Sequence, residues 1–351
     1  MNYSIPEHRL PALRTLLEHL DQARRVVLTT HLNADGDGTG CQAALLELLR
    51  DRGVEARIVN PTPFPQGFRF LLPESPEGIE WVLAAGSSEA DVWCATADLC
   101  VVVDTGEISR IGRVRPMVSD LLTLIIDHHP PGERPLEGPA IRDTTAAAAG
   151  ELVLDLVTLA GGPWTRPVLE GLYAAILTDT GSFRFSNATP GAHQAVAELI
   201  RRGVQPDVIY RRIYESVPLR RYRLLQAALE HLDRTADGRV AWITVPMDRY
   251  EDLHCEPGDL EGLTDYPRAL EAVEVAMIFR SVPEGVKVSF RSNGGVDVNR
   301  LARAFGGGGH VRASGALVAG SLEAVREKVV IAAAEAVDGG TVTPSTAYSG
   351  T

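Results

Sequence analysis

Residues 25–40 read RVVLTTHLNADGDGTG. The apolar run from Val26 to Leu28 breaks into a loop in which His31, Asp35 and Asp37 are interleaved with Gly36, Gly38 and Gly40. Directly afterwards CQAALLELLRDRG shows helical spacing, with Leu45, Leu46, Leu48 and Leu49 as its apolar stripe and Gly53 where a helix C-cap belongs. Strand, polar loop, helix is one βα unit. The same alternation recurs in ARIVN, LCVVVD, LLTLIID and TTAAAAGELVLDLVTLA. It predicts an α/β fold whose mostly parallel sheet carries helices on both faces.

Three of these runs end in metal-capable side chains: Val26 to Leu28 leads to His31, Cys100 to Val103 to Asp104, and Leu121 to Ile126 to Asp127, His128 and His129. Ligands of open α/β sheets bind at the carboxyl ends of the strands, so these residues are expected in one crevice. Asp179 in AAILTDTGSFRF joins them, an acid where an apolar helix stops at a glycine turn. A mixed set of histidines and aspartates suits Mn²⁺ or Mg²⁺ better than a closed thiolate zinc site. So many carboxylates would repel one another around one ion, whereas two divalent ions sharing a carboxylate neutralise them.

At 351 residues the chain has room for two cores. The first domain is read as residues 1–217, closing helices included, followed by a connector at 218–236 and a smaller α/β domain at 237–337. Its strands are VAWITV, VEVAMIFR and VKVSFRS, followed by the helical VNRLARAF, the loop GGGGHVRASG and a last helix after Gly320. Residues 338–351 read as a flexible tail. With 45% hydrophobic and 23% charged residues the composition is that of a globular protein. A net charge of −12 argues against wrapping a long nucleic-acid duplex. The four cysteines form no C-x-x-C pair, and MNYSIPEHRL lacks the character of a secretory signal. No apolar run is long enough to span a bilayer. A cytoplasmic protein away from membranes is the expectation.

Taken together, HLNADGDGTG, VVVDTG, the run Asp127-His128-His129, TDTGSFRF and GGGGHVRASG, in that order from about residue 10 to 335, resemble the DHH phosphoesterase superfamily with its DHHA1 domain. The branch that the chain resembles most comprises the oligoribonucleases and 3′-phosphoadenosine 5′-phosphate phosphatases. Ala34 and Cys41 depart from that pattern, which usually has Pro and often Ser there. The resemblance implies two metal ions, Mn²⁺ before Mg²⁺. One is held by His31, Asp35 and Asp104, the other by Asp37, Asp104, His128 and Asp179. Asp104 bridges them, and the ions activate a water for in-line attack on phosphorus. His129 faces the phosphate or the leaving oxygen, and Asp127 orients a ligand rather than binding metal, so that His129, Asp127 and Asp104 form the catalytic set.

Gly306, Gly307, Gly308 and Gly309 let backbone N–H groups approach a phosphate, and His310 and Arg312 add charge. Arg291, beside Ser292 in SFRS, suits a bidentate phosphate contact, and Arg184 in GSFRF is read either as a substrate contact or as an ion-pair partner. The implied division of labour is that the first domain cuts and the second grips a short single-stranded RNA or nucleotide in a cleft between them. The competing readings are a linear or cyclic dinucleotide phosphodiesterase, a RecJ-like single-strand exonuclease, and a nucleotide sensor without turnover. The complete ligand set speaks against the sensor. A homodimer is left open.

Overall fold

The computed structural model describes residues 3–76, 80–260 and 262–339, with the backbone alone at His310. Most of the tail, residues 340–351, lies outside the described residues. The chain divides into two compact units, Met1–Ser216 and Val217–Thr351.

The first unit runs α1 (Leu10–Gln22), β1 (Arg25–Thr29), α2 (Gly36–Asp51), β2 (Glu55–Asn60), β3 (Val82–Ala84), α3 (Ser88–Thr96), β4 (Leu99–Val103), β5 (Leu122–Asp127) and β6 (Ala140–Arg142). It continues with α4 (Ala149–Ala160), α5 (Arg166–Asp179), α6 (Pro190–Arg201) and α7 (Pro206–Tyr214). The six strands form an all-parallel sheet in the order β3-β2-β1-β4-β5-β6. Alternation along β1 explains why both faces need helices. Val26 and Leu28 pack into the core that holds the apolar sides of α1, α2, α4 and α5, while Val27 joins Ala90 and Cys94 of α3 on the other face. The chain winds outward from β1 to β3, then returns to start again at β4 beside β1. That reversal leaves a crevice at the carboxyl ends of β1 and β4, the place where this architecture binds ligands.

The interleaved glycines of the opening stretch are explained by packing. A Cβ at Gly36 would strike the side chain of Thr178, one at Gly38 the Thr30 hydroxyl, and one at Gly40 the carbonyl of Gly171 on α5. Glycine on both helices at that crossing lets α2 and α5 approach backbone to backbone, and α5 is thereby brought close enough to deliver Asp179 to the loop after β1.

The second unit contains α8 (Leu219–Leu229), β7 (Asp233–Arg234), β8 (Val240–Val245), α9 (Met247–Asp252), α10 (Asp265–Arg268), β9 (Val275–Val282), β10 (Gly285–Ser292), α11 (Val298–Arg303), β11 (Gly308–His310), β12 (Ala313–Val318) and α12 (Leu322–Val337). Its sheet has the order β11-β12-β10-β9-β8-β7, in which only the β8–β9 pair is parallel. The glycine run expected as a loop is in fact one arm of a tight hairpin. Gly308 pairs with Gly315 and Gly309 with Ser314, and a Cβ at Gly307 or Gly309 would collide with the backbone of β12. Absence of side chains, which reads as a loop signal, is what permits the close pairing. Among the described residues no helix is long and apolar enough to cross a membrane.

Candidate metal centre

His31 and Asp104 follow neighbouring strands, β1 and β4, and meet at the crevice. His31 places Nδ1 2.8 Å from the carbonyl of Leu32, which turns Nε2 toward Asp104 Oδ2 at 3.0 Å and Asp35 Oδ2 at 3.7 Å. Asp35 caps α2, its Oδ1 accepting from the amides of Asp37 (3.0 Å) and Gly38 (3.3 Å). The cap spends one oxygen and leaves the other for the crevice. Asp104 takes a left-handed backbone conformation, φ 60°, with its amide bonded to the Ile126 carbonyl at 2.9 Å. Aspartate tolerates that region better than bulkier residues, and here it swings the carboxylate off the strand end into the site.

Asp37 is completely buried and is held from the far side by α4. Its Oδ2 accepts from Ala149 N at 2.7 Å and its Oδ1 from Gly150 N at 2.9 Å, so the start of a second helix steadies it. Cys41, one turn along α2, lies with Sγ 3.5 Å from Asp37 Oδ1. His128 Nε2 is 3.4 Å from Asp104 Oδ1, 3.6 Å from Asp179 Oδ2 and 3.7 Å from Asp37 Oδ2. Asp179 is the last residue of α5. Asn187 donates to the Asp179 carbonyl (3.1 Å), to its Oδ2 (3.4 Å) and to the Ala147 carbonyl (3.0 Å). Asn187 was not among the residues singled out in the sequence; a lone Asn eight positions beyond an acid carries no recognisable signal.

Three groups of side chains therefore converge closely enough to share an ion: His31, Asp35 and Asp104; Asp37, His128 and Asp179; and Asp104, His128 and His129. Asp127 stands one layer back, with Oδ1 2.9 Å from His129 Nδ1 and accepting the His129 amide at 3.1 Å. Two atoms test whether cations suit this site. Asp104 Oδ1 and His128 Nε2 are both buried and have no hydrogen-bond partner among the described residues, although each faces the other. Buried polar atoms are normally satisfied, so two orphans pointing into a nest of four carboxylates fit a site built for positive charge.

Without that charge, protons take its place. Burial opposes a charged His31, but Asp104 and then Asp35 outweigh it and raise the imidazole to about 10. His128 is raised to about 10 against burial by Asp104, Asp37 and Asp179. Burial, reinforced by Asp104, raises Asp37 well above the carboxylate range, and burial raises Asp179 to about 6 despite His128. Burial would raise Asp104 too, but His128 and His31 hold it below the usual range. The raised histidines stabilise the metal-free fold fully below the unfolded imidazole value of about 6.5 and cease to do so as the pH climbs through about 10. The raised Asp179 acts in the same direction at lower pH, as the pH climbs from the ordinary carboxylate range through about 6. A cation must displace these protons, so its affinity moves the opposite way. Between about pH 6.5 and 8.5 the melting temperature of chelator-treated protein is expected to fall while Mn²⁺ affinity, measured by titration calorimetry, rises. Parallel trends would contradict the assignment of these groups.

The remaining residues singled out in the sequence lie elsewhere. Arg184 follows a left-handed turn at Gly181, Ser182 and Phe183, and its Nε donates to the Gly181 carbonyl at 2.7 Å. In the second unit Arg291 and Ser292 end β10, and Ser292 N donates to the Arg312 carbonyl at 3.0 Å, so these residues and the glycine hairpin share one end of that sheet. Arg291 donates to the Phe290 carbonyl at 3.0 Å, and its guanidinium is lowered from its ordinary value, chiefly by burial. The His310 side chain lies outside the described part of the structure.

Residues 25–176 match the model of the DHH family, N-terminal domain, and residues 240–338 match the DHHA1 domain. The chain is 33% identical over 318 residues to the bifunctional oligoribonuclease and PAP phosphatase NrnA of Thermus thermophilus, covering 87% of this chain and 90% of that protein. It is 28% identical to the protein of the same name from Bacillus subtilis, over 84% of this chain and 89% of the relative. Among solved structures, an exopolyphosphatase-related protein from Bacteroides fragilis superposes with a TM-score of 0.83 at 26% identity, over 92% of this chain and 96% of that one.

Proposed function

The chain belongs to the DHH–DHHA1 phosphoesterases, in the branch of the bifunctional oligoribonucleases and PAP phosphatases, and on that premise we propose that it hydrolyses phosphoester bonds of very short oligoribonucleotides and of 3′-phosphoadenosine 5′-phosphate. The observation that carries this reading is the pair of buried, unpartnered atoms, Asp104 Oδ1 and His128 Nε2, inside a cluster of histidines and aspartates. His31, Asp35 and Asp104 would hold one divalent cation, and Asp37, Asp104, His128 and Asp179 a second. When bound, the cations supply Lewis acidity toward the phosphoryl oxygens and lower the pKa of an attacking water. The mixed nitrogen and oxygen set favours Mn²⁺, with Mg²⁺ next.

The protein's own groups do the rest. The amides of Ala149 and Gly150 fix Asp37, Asn187 orients Asp179, and Asp127 sets the ring of His129, which we assign to face a phosphate or the leaving oxygen. We assign Arg184 and, in the second unit, Arg291, Ser292, Arg312, His310 and Gly306 to Gly309 to substrate binding. Unpaired thiols at Cys41, Cys94, Cys100 and Cys255 agree with a reducing compartment, and we place the enzyme in the cytoplasm.

Binding by remote groups that do not touch the reacting phosphorus should matter most for substrates large enough to reach them. Arg291→Ala is therefore expected to lose most activity on a 5′-phosphorylated RNA dinucleotide and on 3′-phosphoadenosine 5′-phosphate. It should lose much less on bis-p-nitrophenyl phosphate, and keep its metal content. Equal loss on all three substrates in a side-by-side assay would remove Arg291 from the nucleotide grip and return it to folding. A panel adding cyclic dinucleotides tests the substrate assignment itself; a cyclic dinucleotide turned over faster than either proposed substrate would replace it.

A further inference from the structure

Arg9 closes a short 3-10 turn, Glu7–Arg9, ahead of α1, and is only 4% exposed. Its Nε donates to Asp143 Oδ2 at 2.6 Å and its Nη1 to Asp155 Oδ2 at 2.9 Å, with Glu151 Oε2 3.7 Å from Nη1. The Tyr3 hydroxyl donates to the other oxygen of Asp155 at 2.6 Å, and His8 Nε2 lies 2.9 Å from Asp143 Oδ2. One guanidinium thus serves three buried carboxylates. Such a network would ordinarily be taken only as a staple for the N-terminal segment.

What Asp143 and Glu151 hold with their other oxygens points further. Asp143 Oδ1 accepts from the amide and hydroxyl of Thr145, at 2.9 and 2.6 Å, and Glu151 Oε1 accepts from Ala147 N at 2.9 Å. Between these two anchors the chain meets three of the candidate ligands. Ala149 N and Gly150 N donate to Asp37, the Ala146 carbonyl lies 3.4 Å from His128 Nδ1, and the Ala147 carbonyl accepts from Asn187, which also donates to Asp179. The polar contacts of His31 and Asp35 go instead to the Leu32 carbonyl, to Asp104, to each other and to α2.

We propose that Arg9 is a positioning residue for the Asp37–His128–Asp179 cation site, acting by clamping Asp143 and Glu151 and so fixing the loop between them that orients these three ligands. The inference rests on the two-cation reading above and adds an asymmetry to it: loosening the clamp affects one cation and spares the other.

The test is Mn²⁺ titration of the metal-stripped full-length protein by calorimetry and electron paramagnetic resonance, well below the melting temperature. Arg9→Met, which keeps the unbranched stem and removes the guanidinium, is expected to weaken one of two Mn²⁺ binding events by about 10 to 100-fold and leave the other at the wild-type value, as loss of a ligand-orienting residue typically does. Arg9→Lys should recover part of the loss. In the metal-free state, amide hydrogen exchange of the peptide covering residues 144–150 should quicken in Arg9→Met. Asp143→Asn, a milder change at the same clamp, should weaken the same event and serves where Arg9→Met does not fold. Leu16→Ala, a buried apolar truncation in α1, should lower the melting temperature without touching either affinity. Wild-type affinities at both sites in Arg9→Met or Asp143→Asn, or equal weakening in Leu16→Ala, overturn the proposal. Wild-type protein that binds no Mn²⁺ overturns the two-cation reading itself, and this inference with it.

Discussion

Asp104→Ala is expected to lose phosphoester hydrolysis by more than the roughly 10 to 100-fold typical of residues one layer behind a metal, because Asp104 is the carboxylate that we assign to both ligand sets. Its two oxygens face different histidines, Oδ2 toward His31 at 3.0 Å and Oδ1 toward His128 at 3.4 Å. Removing it also leaves His31 and His128 without the acid that raises them most, so both imidazoles become easier to deprotonate and poorer at gathering charge. Asp127→Ala is the matched comparison, since Asp127 contacts His129 rather than the centre of the cluster. It is expected to fall within the smaller range. Activities measured after metal removal and Mn²⁺ repletion decide the matter, and an Asp104→Ala protein no more impaired than Asp127→Ala would refute the bridging role.

Chelation is expected to reduce activity to the background of uncatalysed hydrolysis. The cluster offers histidines and carboxylates but no lysine nucleophile, and the work assigned to it, polarising phosphoryl oxygens and activating a water, would be supplied by the cations. Restoration by added metal should be greatest with Mn²⁺, lower with Mg²⁺, and small with Ca²⁺, which prefers more oxygen ligands at longer distance. Activity that survives exhaustive dialysis against chelator, with metal content verified as zero, would contradict this account.

The residues of the cluster were legible because each interrupts a pattern. His31, Asp104 and Asp127 to His129 break apolar runs at their carboxyl ends, and a parallel sheet necessarily brings such ends together. Asp179 was visible for the related reason that it stops an apolar helix. The glycines at 36, 38 and 40 read in the sequence as part of a loop, whereas they open α2 and their contacts with Thr178, Thr30 and Gly171 belong to tertiary packing. Asn187, the amides of Ala149 and Gly150, and Arg9 escaped for the same cause. Their partners are 8, 112, 113 and 134 to 146 positions away in the chain, and an amide N–H offers no side-chain signature at all. The hairpin at Gly308–His310 was hidden by its composition, since glycine signals flexibility in sequence and close backbone approach in the folded sheet.

Whether this chain gathers two cations, as its four aspartates and two histidines imply, is tested most directly by anomalous diffraction at the manganese edge from crystals of the wild-type protein soaked in Mn²⁺. The account predicts two peaks about 3.5 to 4 Å apart, the spacing of two-metal hydrolases, one beside His31, Asp35 and Asp104 and the other beside Asp37, His128 and Asp179, with Asp104 touching both. A single peak, or none within reach of these residues, would contradict it.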